Sequence, residues 1–146
     1  MNSNYADEII FDDFSPYYDD YYFHEVEWNR ELFINIVIDK EYINDKKYLN
    51  NISKVLTKVK KEEVDLYYRG INYLIENNLD LDEEDKERFE EDKDIFLYTG
   101  PDYLEVNIKM DSNGTGAITY TVMMYGSISI EFDKDGNFEK AFTDGH

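Results

Sequence analysis

Residues 21–61 read YYFHEVEWNRELFINIVIDKEYINDKKYLNNISKVLTKVKK, and within that stretch the apolar period changes from two to that of an α-helix. Tyr22, His24, Val26 and Trp28 alternate with Phe23, Glu25 and Glu27, and Leu32, Ile34, Ile36 and Ile38 keep the same even parity. An odd loop, here Asn29-Arg30-Glu31, keeps both even sets on one face; a two-residue turn would set Trp28 opposite Glu31. The pattern predicts a hairpin, 21–28 and 32–39, joined by three residues. Next, Tyr48, Leu49, Ile52, Val55, Leu56 and Val59 recur at the spacing of a single helical stripe, with Asn44 or Asp45 as N-cap.

A second helix is expected from about Glu62 to Asn77-Asn78, with Val64, Tyr67, Ile71, Leu74 and Ile75 inward. Gly70 lies inside it at a cost of about 1 kcal/mol relative to Ala, which close packing would explain. Residues 82–93 offer a third, short helix anchored only by Phe89. Strands resume from Ile95, with a break at Gly100-Pro101. Leu104, Val106, Ile108 and Met110 form one alternating run, and Ile118, Tyr120, Val122 and Met124 form another after the turn-rich 111–116. Ile128, Ile130 and Phe132 continue the same parity past an odd loop around Tyr125-Gly126-Ser127, and 138–142 read as a last strand. Residues 1–19, with Ser15-Pro16, read as an irregular lead-in. The expectation is one α+β domain over 1–146, order β-β-α-α-(α)-β-β-β-β: an antiparallel sheet with two or three helices packed on one face. The chain has no internal repeat.

Charge is segregated along the chain. The formal net charge is -19 in 146 residues. Residues 7–31 carry nine acids against Arg30 alone, and 76–94 carry eleven acids against three bases. Between them Lys46, Lys47, Lys54, Lys58, Lys60 and Lys61 occupy a stretch without any acid. On a helix, Lys47, Lys54, Lys58 and Lys61 cluster opposite the apolar stripe, where they are a solvated face that limits self-repulsion against the acids. A body of this charge repels nucleic acid and anionic membrane and attracts basic proteins. Hydrophobic residues are 42% of the chain and aromatics 16%, which is too much core-forming material for a disordered acidic tail.

The residues also bound the chemistry. There is no Cys, which excludes disulfides and thiolate zinc sites and suits a reducing compartment. No basic segment precedes an apolar run near the N-terminus, and no apolar stretch approaches the ~18 residues of a membrane span, so a cytoplasmic protein is expected. The histidines are His24 and His146, and His24 lies on the apolar parity of its strand. No nucleophile–base pair can be built, and the chain is expected not to be an enzyme and to need no cofactor. Asp133, Asp135 and Asn137 alternate as calcium ligands do, but Phe138 stands where the loop needs Gly and Asp144 where it needs Glu. Hairpin turn chemistry accounts for them, and no metal site is expected there or at Asp80, Asp82, Glu83 and Glu84.

The two acidic segments remain as candidate partner surfaces. In the first, Asp12, Asp13, Asp19 and Asp20 are interleaved with Tyr17, Tyr18 and Tyr21, rings that could anchor an interface while the acids steer a basic partner. In the second the candidates are Glu83, Glu84, Glu87, Glu90 and Glu91. In size, absence of Cys, α+β order and the closing Ile128-Ser129-Ile130-Glu131-Phe132-Asp133-Lys134-Asp135-Gly136-Asn137-Phe138 strand and turn, the chain resembles the small acidic bacterial immunity proteins of polymorphic toxin systems. The abundant Asn, Lys, Ile and Tyr also fit an AT-rich coding sequence of bacterial or phage origin. That resemblance implies a stoichiometric inhibitor of a basic toxin such as a nuclease, with phage-type mimicry of nucleic-acid charge as a close variant. The alternative is a small-ligand or regulatory binding domain that uses the sheet–helix crevice.

Overall fold

The computed structural model describes residues 15–18 (as backbone), 20–28, 33–77, 103–123 and 126–143, together with Glu87 and Glu91. Its elements are β1 (Ser15–Tyr18), β2 (Tyr21–Glu27), β3 (Phe33–Asp39), a single 3-10 turn (Lys40–Tyr42), α1 (Lys46–Lys61), α2 (Glu63–Asn77), β4 (Leu104–Met110), β5 (Gly116–Val122), β6 (Gly126–Phe132) and β7 (Phe138–Thr143). The class is α+β. The strands form one seven-stranded sheet in sequence order, β1 to β7.

Strand parity decides which face is buried. Ile34, Ile36 and Ile38, then Val106, Ile108, Ile118, Tyr120, Ile128, Ile130 and Phe132, all point to one side and are almost fully buried. The hairpin pairs Glu27 with Phe33 and His24 with Ile36, which is the register expected of a three-residue loop. The β5–β6 connection is odd as well, but Gly126 and Ser127 already belong to β6, and Val122 pairs with Gly126.

The helices cover the even face. Asp45 caps α1, its carboxylate accepting from the Tyr48 N–H at 3.0 Å. Tyr48, Ile52, Val55, Leu56 and Val59 are the buried stripe, and Lys58, Lys60 and Lys61 in the last turn complement the negative end of the helix dipole. In α2 the inward residues are Glu63, Leu66, Tyr67, Gly70, Ile71 and Leu74, while Val64 is exposed, against the expectation from sequence. The stripe has ideal helical spacing, but one member is a glutamate and another a glycine, so counting apolar residues alone displaces it. Gly70 does serve close packing: a Cβ there would lie 2.7 Å from Ile130 Cγ1 and 2.9 Å from its Cδ1.

Two features differ from the expectation. Residues 15–18 are a strand, antiparallel to β2 and with a shift of register between Pro16 and Tyr18. An edge strand tolerates proline, because the face without partner needs no N–H from it. Second, β3 and β4 run parallel, Asn35 beside Asn107 and Ile36 beside Ile108. The connection between them carries both helices, long enough for the crossover that a parallel pair requires. Of the expected third helix, 82–93, only Glu87 and Glu91 are described; both are helical and exposed. No helix among the described residues is long and apolar enough to cross a membrane.

Candidate functional site

Because the two described helices cover the even face, the odd-numbered side chains of β2 to β6, joined by Lys140 and Phe142 of β7, form a second face. Registers of successive pairs align one transverse row on it: Glu25, Asn35, Asn107, Thr119, Ser129 and Phe142. Glu27 pairs with Phe33 beside this row, and on the adjacent strands Glu105, Thr121 and Ser127 are in register. Thr119 and Ser129 share a hydrogen bond of 2.8 Å, and Thr121 and Ser127 one of 2.9 Å. Such cross-strand hydroxyl pairs suit a sheet face in water.

The same face exposes large apolar side chains. Phe33 is 58% exposed, Tyr103 61% and Met123 61%. The Met123 N–H donates to the Tyr103 carbonyl at 2.9 Å, so these two are held side by side. With Asn35, Glu105 and Thr121 the three line a depression of about 450 Å³. Isolated exposed hydrophobics are ordinary; three around one depression make it a candidate interaction surface. Glu105 is part of its wall, and Glu25 and Glu27 pair in register with Asn35 and Phe33, two of its lining residues. The lysines of this face lie in a different row, Lys109 opposite Ala117 and Lys140 opposite Glu131.

The sequence-derived candidates fall variously. Asp20 is exposed in the β1–β2 turn, where its carbonyl accepts from the Lys40 N–H at 3.0 Å. Tyr21 is half-buried and engaged within the chain: the Lys109 ammonium sits 4.6 Å from its ring centre and donates to its hydroxyl at 3.2 Å. Tyr17 and Tyr18 lie in β1, and Glu87 and Glu91 are exposed. Asp12, Asp13, Asp19, Glu83, Glu84 and Glu90 lie outside the described residues. Sequence reasoning passed over Phe33, Tyr103 and Met123. Their signal was the odd parity they hold in or beside strands whose even positions fill the core.

His24 is half-buried on the helix side of β2. The turn at 133–137 is closed by its own groups: Asp133 Oδ1 accepts from the N–H of Asp135 and of Asn137, each at 2.9 Å. Gly136 takes φ 80°, the left-handed conformation such a turn requires. Lys58 reaches over to donate to Asn137 Oδ1 at 2.5 Å. Among the described residues no three of His, Asp or Glu are gathered as metal ligands would be. A second cavity, about 430 Å³, lies where α1 meets the turns at 111–115 and 133–137, with Tyr48, Asn51, Lys54, Ser112, Asn113 and Lys134 among its walls.

No protein-family model matches the chain, and neither a curated protein nor a solved structure does.

Proposed function

We propose that the chain is a non-enzymatic acidic binding protein that holds a basic protein in a one-to-one complex, in the manner of an immunity protein that neutralises a toxin such as a nuclease in the cytoplasm. The observation that carries this is the placement of Phe33, Tyr103 and Met123 around one depression that Glu105 also lines, on the sheet face that the described helices leave open. Apolar anchors supply the desolvated centre of an interface and the surrounding acids select the sign of the partner. The net charge of -19 favours a basic protein and disfavours nucleic acid or an anionic membrane. The acids of 7–31 and 76–94 extend the same steering field.

The test is affinity capture from the native cell with the wild-type chain and a Phe33→Ala/Tyr103→Ala variant side by side. A basic protein held at one-to-one stoichiometry by the first and lost by the second supports the reading. If everything captured is shared equally by both chains, the open face is not the binding surface. A second reading, a small-ligand domain, is favoured by the cavity at the sheet–helix crevice with Lys54 and Lys134 on its walls. A small anion copurifying in that cavity, with no protein partner captured, would decide for it.

A further inference from the structure

We propose that the depression on the open face is a receptor for one arginine side chain of the basic partner, which rests on the function proposed above and names the chemistry of its central contact. Within the transverse row, the hydroxyls of Thr119 and Ser129 satisfy one another, but the two amides do not. Asn35 Oδ1 and Asn107 Oδ1, register neighbours on β3 and β4, are buried and without a hydrogen-bond partner among the described residues. Buried acceptors without donors are rare in folded proteins because each is a standing cost, and they call for an N–H from elsewhere. The Asn107 amide is oriented by its own Nδ2, which donates to Glu105 Oε1 at 3.4 Å, so its Oδ1 is the end left over. Asn35 itself lines the depression, and the soft terminal torsion of an asparagine lets Oδ1 swing toward a donor that arrives there.

The remaining walls fit the same guest. The exposed rings of Phe33 and Tyr103 offer π faces to a cation, and Met123 gives an adaptable apolar side for an aliphatic stem. Lys109 over Tyr21 already shows a cation seated on a tyrosine of this face, at 4.6 Å. Glu105 supplies the counter-charge inside the depression, with Glu25 and Glu27 in register just outside it. Acceptors on two separate side chains that line the depression, Glu105 and Asn35, suit a planar guanidinium with its fork of five N–H donors. A lysine ammonium, a compact charge with three donors on a freer stem, serves them less well.

The experiment is an NMR titration of the whole chain with N-acetyl-arginine methylamide, with the matching capped lysine, capped citrulline and free arginine as the other arms. The capped arginine should shift the Asn35 and Asn107 side-chain amide signals and the Phe33 and Tyr103 ring signals saturably. Capped lysine should bind about fivefold more weakly or worse, neutral citrulline should weaken similarly, and free arginine, whose two α-charges cancel, should bind much as the capped form does. Glu105→Gln and Tyr103→Ala, both at exposed positions, should each reduce the capped-arginine affinity by about fivefold while leaving the rest of the spectrum in place. Equal binding of capped arginine and capped lysine, or shifts spread over all acidic residues and indifferent to Glu105→Gln, would overturn the receptor. Since the probe involves no partner protein, that failure leaves the basic-partner reading to its own capture experiment. A failed capture beside a successful titration would remove the partner and keep the pocket.

Discussion

The indole Nε1 of Trp28 donates to Glu63 Oε1 at 3.1 Å, joining residues 35 apart in the chain. Tyr120 donates its hydroxyl to the other carboxylate oxygen, so the end of β2, the start of α2 and the middle of β5 meet on one side chain that is 1% exposed. A carboxylate at the first turn of a helix also complements the positive end of the helix dipole. Removing it leaves the Trp28 N–H buried without its acceptor. Glu63→Ala should therefore cost about 3 kcal/mol, from the orphaned donor and the cavity together. Trp28→Phe, which deletes one donor but keeps a ring, should cost about 1–2 kcal/mol. Urea unfolding followed by far-UV circular dichroism reads both. Trp28 is the sole tryptophan, so its emission maximum should shift in Glu63→Ala as the acceptor at its Nε1 is lost. A Glu63→Ala protein as stable as the wild type would show that the triad contributes nothing.

Gly70 sets the spacing of α2 on the sheet. Alanine there gains about 1 kcal/mol of helix propensity, but its Cβ would meet Ile130 Cγ1 at 2.7 Å and Cδ1 at 2.9 Å in a fully buried site. Overpacking of that kind costs about 1–3 kcal/mol, so Gly70→Ala should be net destabilising by about 1 kcal/mol. Ile130→Val removes Cδ1 and leaves room for the neighbour to turn. The double variant should be more stable than the sum of the singles by about 0.5 kcal/mol or more. Strict additivity would mean that Gly70 is not held by this contact.

What the sequence carried well is what depends on period. Even parity in Ile34, Ile36 and Ile38 and in Ile118 to Phe132 located the core face; the α1 stripe stands with Leu49 only half-buried, and Asp45, one of the two caps read from the sequence, is the N-cap. What it carried poorly depends on distant partners. Ser15-Pro16 carries turn residues, yet pairing with β2 makes it an edge strand. The parallel β3–β4 contact joins segments on either side of both helices, and no local pattern encodes it. Glu63 looks like a surface residue until Trp28 and Tyr120 are placed around it. The open face was hidden for a simpler reason: Phe33, Tyr103 and Met123 stand off the parity that defines the core, and that signal gains meaning only once the three are seen around one depression.

Tyr48 links α1 to the β4–β5 turn and gives a pH signature. It is buried, donates its hydroxyl to the Asp111 carbonyl at 2.9 Å and stacks on Tyr42 at 4.6 Å. Burial pushes its hydroxyl pKa well up, and the negative charge of Asp111 adds to this, followed by Tyr42 and Asp39. The folded state thus keeps a proton that the unfolded chain loses near pH 10. The stabilisation this gives is complete below about pH 10 and disappears as pH rises from there through the folded value. Tyr48→Phe should cost about 1 kcal/mol at neutral pH through its lost hydrogen bond. The gap from wild type should narrow above about pH 10, because only the wild type loses this contribution. Urea melts at intervals from pH 8 to about 11 would measure it. A gap that stays constant or widens would show that the hydroxyl titrates no differently in the fold.

Steering and anchoring should separate kinetically once a basic partner is in hand. Charge reversal at Asp20, Glu25 and Glu27, or at Asp12, Asp13, Asp19, Glu83, Glu84, Glu87, Glu90 and Glu91, changes the long-range field and leaves the apolar centre intact. Association should then slow, and raising salt from about 0.05 to 0.5 M should slow the wild-type association by roughly tenfold while dissociation changes little. Truncation of Phe33 or Tyr103 to Ala should do the reverse, speeding dissociation about tenfold or more at nearly constant association, because it removes contacts made only after docking. Tyr21→Ala should act mainly through Lys109, which loses its ring and hydroxyl and becomes a freer positive charge on the same face. Stopped-flow or surface plasmon resonance separates the two rates. Ring truncation that leaves dissociation unchanged would remove the open face from binding, and charge reversal at every acid that leaves both rates unchanged would remove the acidic segments.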